Sequence, residues 1–205
     1  VYMEEGKKKE IEASNVVSTI PFRGFVKIVD LPKEYKERLK GINYTEFIVA
    51  YFGLDSRLSK YDMEVMVPRK EGYRFNSFVE VSNIAMGVAP EGKSLLNVVT
   101  TPHTIGINTD DKEVLDAITE DMNRLFPEFE RKVRWRKLIR YSSVATTKEY
   151  MALKPTFVTP IKGLYLAGAQ MFPPQDMATA VVSGHTVSDI ISANMRGSQQ
   201  LTRPK

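Results

Sequence analysis

Two short runs near the C-terminus hold the residue types and spacing best suited to chemistry. Gly163-Leu164-Tyr165-Leu166-Ala167-Gly168 is a brief apolar run bounded by glycines, the pattern of a buried strand. Beyond it, Asp176 precedes a run with apolar or small residues at Met177, Ala180, Val181, Gly184, Val187, Ile190, Ile191 and Met195. Spacings of three and four predict a helix from Asp176, its N-cap, to about Met195. Gly168 at the strand end permits close approach of backbone or ligand. A helix start presents unpaired N–H groups and a positive dipole end, which suits an anionic ligand. A helix that only covers a sheet has the same periodicity, so the pattern alone leaves both readings open.

Other chemistry is thin. His103 and His185 are far apart with no metal-like spacing, so no metal site is expected. The chain has no cysteine, which excludes disulfides, thiolate nucleophiles and thiolate metal sites. Ser183-Gly184-His185 is not the strand–turn–helix nucleophile elbow. Arg131, Lys132, Arg134, Arg136, Lys137 and Arg140 flank Trp135. They could form a patch for anionic lipid or nucleic acid, but strand-period alternation makes a solvated face the simpler reading. Phe47, Tyr51, Phe52, Tyr73, Phe75 and Phe78 could line a greasy cavity or belong to a plain core.

The 205 residues, 42% of them hydrophobic, can bury a real core in one large or two small domains. No apolar run reaches the length of a membrane span, and residues from Val1 onward show no charged-then-apolar signal-peptide pattern. A net charge of +4 permits an anionic surface or ligand without demanding one. A start at Val1 suggests a processed or partial chain.

The positioning elements are legible in outline. Residues 1–12 read as a hairpin turning near Gly6, and 14–21 as a strand ended by Pro21. Pro32 to Leu39 suits a surface helix. Strand composition marks Tyr44–Leu54, Phe75–Val81 and Ser94–Thr101. Asp110 to Phe126 is a helix capped by Thr109 or Asp110, and Asp110 with Glu113 fits a capping box. Its stripe is Val114, Leu115, Ile118, Met122, Leu125 and Phe126, and Pro127 stops it. A basic strand with Val133, Trp135 and Leu138 follows, and Gly197 to Lys205 reads as a frayed tail.

The terminal strand–loop–helix resembles the C-terminal flavin-binding signature of FAD-dependent amine oxidases and phytoene desaturases. The opening hairpin and Thr19-Ile20-Pro21 look like the place where that family's chain leaves the FAD domain. Ser82-Asn83 with Ala89-Pro90-Glu91-Gly92-Lys93 looks like a phytoene desaturase segment. The resemblance covers almost the whole chain. It implies an α/β fold with an α+β substrate domain: a mixed sheet plus helices, and a C-terminal strand–helix piece of a Rossmann-like FAD-binding domain. The implied domains are residues 1–22 (FAD-domain hairpin and strand), 23–155 (substrate domain), 156–195 (return to the FAD domain) and 196–205 (tail).

The implied cofactor is FAD, and the implied contacts are Gly168, Ala169, Gln170, Asp176, Met177 and Ala180. Gly168 and Ala169 would face the pyrophosphate or ribityl chain, and Met177 and Ala180 would approach the flavin through backbone groups. The family usually has an acidic residue where this chain has Ala169, and Gln170 could partly substitute. A glycine often precedes the helix-start methionine, where Asp176 stands here. The G-x-G-x-x-G pyrophosphate turn is absent, so an N-terminal dinucleotide-binding segment is an expected partner. Two functions follow. One is part of an oxidoreductase that moves hydride from a small apolar or amine substrate to flavin, with the cofactor carrying the chemistry and no catalytic side chain assignable. The other is a non-catalytic module that binds a lipid, a prenyl group or a protein on the same scaffold. A cytoplasmic location, with or without peripheral membrane contact, and no nucleic-acid partner complete the expectation.

Overall fold

The computed structural model describes residues 2–106 and 110–201. In chain order the elements are β1 (Tyr2–Glu4), β2 (Lys7–Lys9), β3 (Val16–Ser18), α1 (Phe22–Ile28), α2 (Lys33–Lys40), β4 (Tyr44–Leu54), β5 (Val65–Met66), β6 (Ser77–Glu80) and β7 (Ser94–Thr100). Then come α3 (Pro102–Ile105), α4 (Asp111–Leu125), α5 (Phe129–Lys132), β8 (Val133–Val144), α6 (Lys148–Leu153), β9 (Leu164–Leu166) and α7 (Met177–Leu201). The fold is thus mixed sheets plus helices. Residues up to 44 and from 143 onward form one compact unit, and 45–142 form another.

In the first unit, β1 and β2 make the hairpin around Glu5 and Gly6, both at positive φ. β3 runs parallel to β9, with Val16 opposite Leu164 and Ser18 opposite Leu166. Parallel pairing needs a long crossover, and the residues between these strands supply it. The core gathers Phe22 and Phe25 of α1, Leu39 of α2, Tyr150 of α6, Leu166 and Met171. A smaller cluster sets Val187 of α7 against Tyr165 and Ala167.

The second unit is a five-stranded sheet in the order β5-β6-β7-β4-β8. β4 and β7 pair antiparallel from Ile48–Thr100 to Leu54–Ser94. Strand alternation sends Ile48, Ala50, Phe52, Leu96 and Val98 to one face, where Val114, Ile118 and Met122 of α4 cover them. The carboxylate of Asp110 accepts from Lys112 N–H at 3.0 Å, which makes Asp110 the cap. Thr109, the other candidate, lies outside the described residues.

Two anionic side chains pin this unit. Asp121, its side chain 1% exposed, accepts from Arg74 N–H, Nε and Nη2 and from Arg124 Nη1. Buried Glu80 accepts from the backbone of Leu58 and Ser59 and from the hydroxyls of Ser59 and Ser94. Burial pushes both carboxyls up, but these donors outweigh it and both titrate below their ordinary range.

Most strands and the two longest helices lie where the sequence places them. The structure departs in three ways. α7 continues past Met195 and through Gly197 to Leu201, because one glycine in a helix costs only about 1 kcal/mol. The short helices α1, α3, α5 and α6 are too brief for a periodicity signal. The basic residues of β8 are not simply solvated: Arg134 pairs with Asp55, Arg136 with Asp116 and Arg140 with Asp111.

Candidate functional site

The end of β9 is built by backbone rather than by reactive side chains. Ala167 N–H donates to Ser18 O at 2.9 Å, extending the parallel pair by one bond. The chain then turns at Gly168, whose φ of 120° an L side chain rarely adopts. Gly168 N–H donates to Ser183 Oγ at 2.7 Å, and that hydroxyl donates to Ala180 O at 2.7 Å. Buried Ser183 therefore ties the strand end to the second turn of α7. Sequence reading treats Ser183 only as a failed nucleophile. The signal for its real role is a small hydroxyl at helical spacing from the cap, inside the stripe that faces the strand.

Gln170 is committed to the scaffold. Its Nε2 donates to Ile20 O at 2.6 Å and its Oε1 accepts from Phe22 N–H at 3.0 Å. Its carbonyl accepts from Tyr150 O–H at 2.6 Å, and burial pushes the Tyr150 hydroxyl up to about 12. Ala169 contributes only backbone between these anchors. Gln175, at φ 65°, clamps the next loop. Its Oε1 accepts from Ser143 Oγ and Val144 N–H, and its Nε2 donates to Val144 O and Thr146 Oγ1.

This clamp sets the start of α7. Asp176 Oδ1 accepts from Thr179 N–H and Thr179 Oγ1, at 2.7 and 2.8 Å. The carboxylate therefore turns back onto its own helix, and the Thr179 amide bond holds it below the usual carboxylate range. Buried Thr179, Ser183 and Val187 define the inner face of α7. Met177, 83% exposed, and exposed Val181, Val182 and Gly184 leave the outer face apolar and uncovered. The structure thus brings Gly168, Asp176, Met177 and Ala180 together around one strand end and one helix start.

The second unit carries a different surface. The face of its sheet opposite α4 holds Phe47, Val49 and Tyr51 of β4, Leu95, Asn97 and Val99 of β7, and Trp135, Ile139 and Tyr141 of β8. Phe47 and Tyr141 stack at 5.2 Å. The Trp135 indole lies across Gly53, where a Cβ would fall within the ring. Trp135, Ile139 and Tyr141 stay well exposed, and the Asn97 Oδ1 atom is buried without a hydrogen-bond partner. Of the aromatics singled out in the sequence, Phe52, Phe75 and Phe78 are buried core. Phe47 and Tyr51 belong to this open face.

His103 is exposed on α3, beside a groove of about 600 Å³ lined also by Thr45, Glu46 and Pro102. His185 is exposed on α7. Among the described residues no cluster of His, Cys, Asp or Glu could hold a metal, and no helix is long and apolar enough to cross a membrane.

A family model for flavin-containing amine oxidoreductases matches residues 1–192. The chain belongs to the flavin-containing amine oxidoreductase family. Three solved structures share the fold. Cyclohexylamine oxidase from Brevibacterium oxydans IH-35A is 11% identical at a TM-score of 0.65, with 93% of this chain and 45% of that one covered. A cofactor-binding variant of putrescine oxidase is 14% identical at 0.63, covering 88% and 43%. An oxidoreductase from Methanosarcina mazei is 17% identical at 0.58, covering 86% and 43%. The chain therefore spans less than half the length of each. No curated protein matches it significantly.

The residues present fit part of a flavin site. Gly168 and Ala169 leave a backbone edge free of bulky side chains, and Met177 and Ala178 lie exposed in the first turn of α7. The Asp176 carboxylate is occupied as a cap, so it does not point outward at an electron-rich ring. Ala169 supplies no carboxylate for a ribityl or ribose hydroxyl.

Proposed function

We propose that this chain is the C-terminal portion of an FAD-dependent oxidoreductase that takes hydride from a small apolar or amine substrate. The observation that carries the reading is the parallel β3–β9 pair ending at Gly168 and tied through Ser183 to the start of α7. We read that arrangement as the strand–helix piece at the C-terminal side of a dinucleotide site. Gly168, Ala169, Met177 and Ala180 would meet the cofactor through backbone groups. Gln170 and Asp176 would act by holding the strand end and the helix start in place. Bound there, FAD would supply the hydride acceptor.

The pyrophosphate turn is proposed to come from outside these residues, from the same gene product or a companion subunit. The uncovered outer face of α7 supports that reading, because exposed apolar patches mark interaction surfaces. The open aromatic face of the second unit's sheet supports an apolar or amine substrate. Asn97 Oδ1 beneath this face is a buried acceptor without a hydrogen-bond partner. The names of two structural neighbours, cyclohexylamine oxidase and putrescine oxidase, point to amines.

The test is anaerobic mixing of the complete gene product, with flavin bound, against primary amines and unsaturated apolar compounds. Bleaching of the oxidised flavin band by one class supports hydride transfer and names that class. A flavin that binds but is bleached by neither overturns the substrate assignment. Failure to bind flavin at all leaves the non-catalytic binding module as the surviving function.

A further inference from the structure

A second ligand site is suggested by the α1–α2 hairpin, remote in sequence from the Gly168 loop and α7. Between these helices lies a cleft of about 500 Å³, within the usual range of small-ligand pockets. Its floor is apolar, made by buried Val26, Leu39 and Ile42. Its rim holds Arg23, Lys27, Lys36 and Lys40. Four cations thus surround one greasy floor, and no carboxylate lines the cleft.

Of the four, only Lys40 is ion-paired among the described residues. Lys40 pairs with Glu37 at 2.7 Å on the exposed side of α2. Arg23 lies over the Tyr44 ring at 5.1 Å, which orients it without neutralising it. Lys27 and Lys36 make no ion pair among the described residues, and Lys36 is half-buried. An anion in the cleft would give both lysines a direct partner. By contrast, Arg38 on the same helix is spent on the carbonyls of Leu153 and Lys154 and does not line the cleft.

We propose that this cleft binds an anionic amphiphile: a phosphate head held by Lys27, Lys36, Lys40 and Arg23, with an apolar chain laid on Leu39 and Ile42. Lysine and arginine both bind phosphate, lysine as a compact point charge. The floor favours a ligand with an apolar part, and the rim favours an anionic one. The head can come from a free amphiphile or from an anionic bilayer, and the two sources are separated by experiment.

The chain is titrated with dodecyl phosphate below its micellar concentration, with inorganic phosphate, and with neutral dodecyl maltoside. Co-sedimentation uses phosphatidylcholine vesicles with and without phosphatidylglycerol. Saturable binding of dodecyl phosphate, far tighter than inorganic phosphate or maltoside, is expected. Lys27→Glu with Lys36→Glu should weaken it about tenfold or more, given the reach of each charge near an anionic surface. Lys60→Glu with Lys70→Glu makes the same charge change in the other unit and should leave it unchanged. Circular dichroism checks the fold, and Lys27→Gln with Lys36→Gln replaces the reversal variant if that one unfolds. Vesicle binding lost in parallel identifies a bilayer source, and its absence identifies a free amphiphile. No saturable binding to dodecyl phosphate or vesicles, or equal loss in the two variant pairs, overturns the proposal.

Discussion

Ser183→Ala tests how the strand end and the helix start are joined. The substitution removes the acceptor for Gly168 N–H and leaves that half-buried donor unmet. An unsatisfied donor of this kind costs about 1–3 kcal/mol. Ser183 is fully buried, so no nearby solvent replaces its oxygen directly. Alanine returns up to about 0.5 kcal/mol through better helix propensity, and the lost Ser183–Ala180 bond is a local one. The net expectation is a destabilisation of about 1–2 kcal/mol, or a fall of roughly 2–4 °C in Tm for each kcal/mol in a chain of this size. Hydrogen exchange reads the site directly: the Gly168 amide should lose most of its protection while the amide of Leu166 keeps its own. Ser188→Ala, on the exposed side of the same helix, should change stability by less than about 0.5 kcal/mol. In the flavin-bound protein the same variant should weaken flavin retention without changing which substrates are oxidised. An unchanged Gly168 exchange rate in Ser183→Ala would refute the proposed coupling of β9 to α7.

Asp121→Asn keeps the shape of the buried side chain but removes the charge that Arg74 and Arg124 share; Arg74 keeps Glu120 and both guanidiniums reach water, so the loss should be about 1–3 kcal/mol in urea unfolding. Because Asp121 and Glu80 titrate below their ordinary values in the folded state, their stabilisation is full above about pH 5 and drains away as pH falls through the folded values. An acid titration of stability that stays flat from pH 5 to 3 would contradict this. Gly53→Ala must push the Trp135 ring off β4, and since this is the chain's one tryptophan, its emission should shift to the red. Asn97→Leu should leave stability unchanged or raised, because it removes an unmet buried acceptor. A clear loss of stability in urea unfolding of that variant would contradict the unmet acceptor.

The long elements were legible because their signals are local. The β-branched and aromatic run Tyr44–Leu54 is a strand, and the stripe through Val114, Ile118 and Met122 is the face that α4 buries. The cap role of Asp176 follows from residue type and position, and the structure bears it out. What stayed hidden depends on partners distant in sequence. Nothing around Gln170 reveals that Ile20 and Phe22 occupy its amide, about 150 residues away. The arginines of β8 look solvated until α4 brings Asp111 and Asp116 beside them. The periodicity of α7 was right as a helix signal but ambiguous as a face. It ran together the inner residues Val187 and Ile190 with the outer residues Met177 and Val181.

The central claim is that these residues hold only part of a flavin site. The most direct test is a visible spectrum, with FAD titration, of the 205-residue chain alone and of the complete gene product expressed from its natural start. The chain alone should be colourless and take up no stoichiometric FAD, while the complete product should carry a flavin band released as FAD on denaturation. Stoichiometric FAD on the chain alone would contradict the divided site, and a folded complete product that takes up no FAD would contradict the flavin assignment itself.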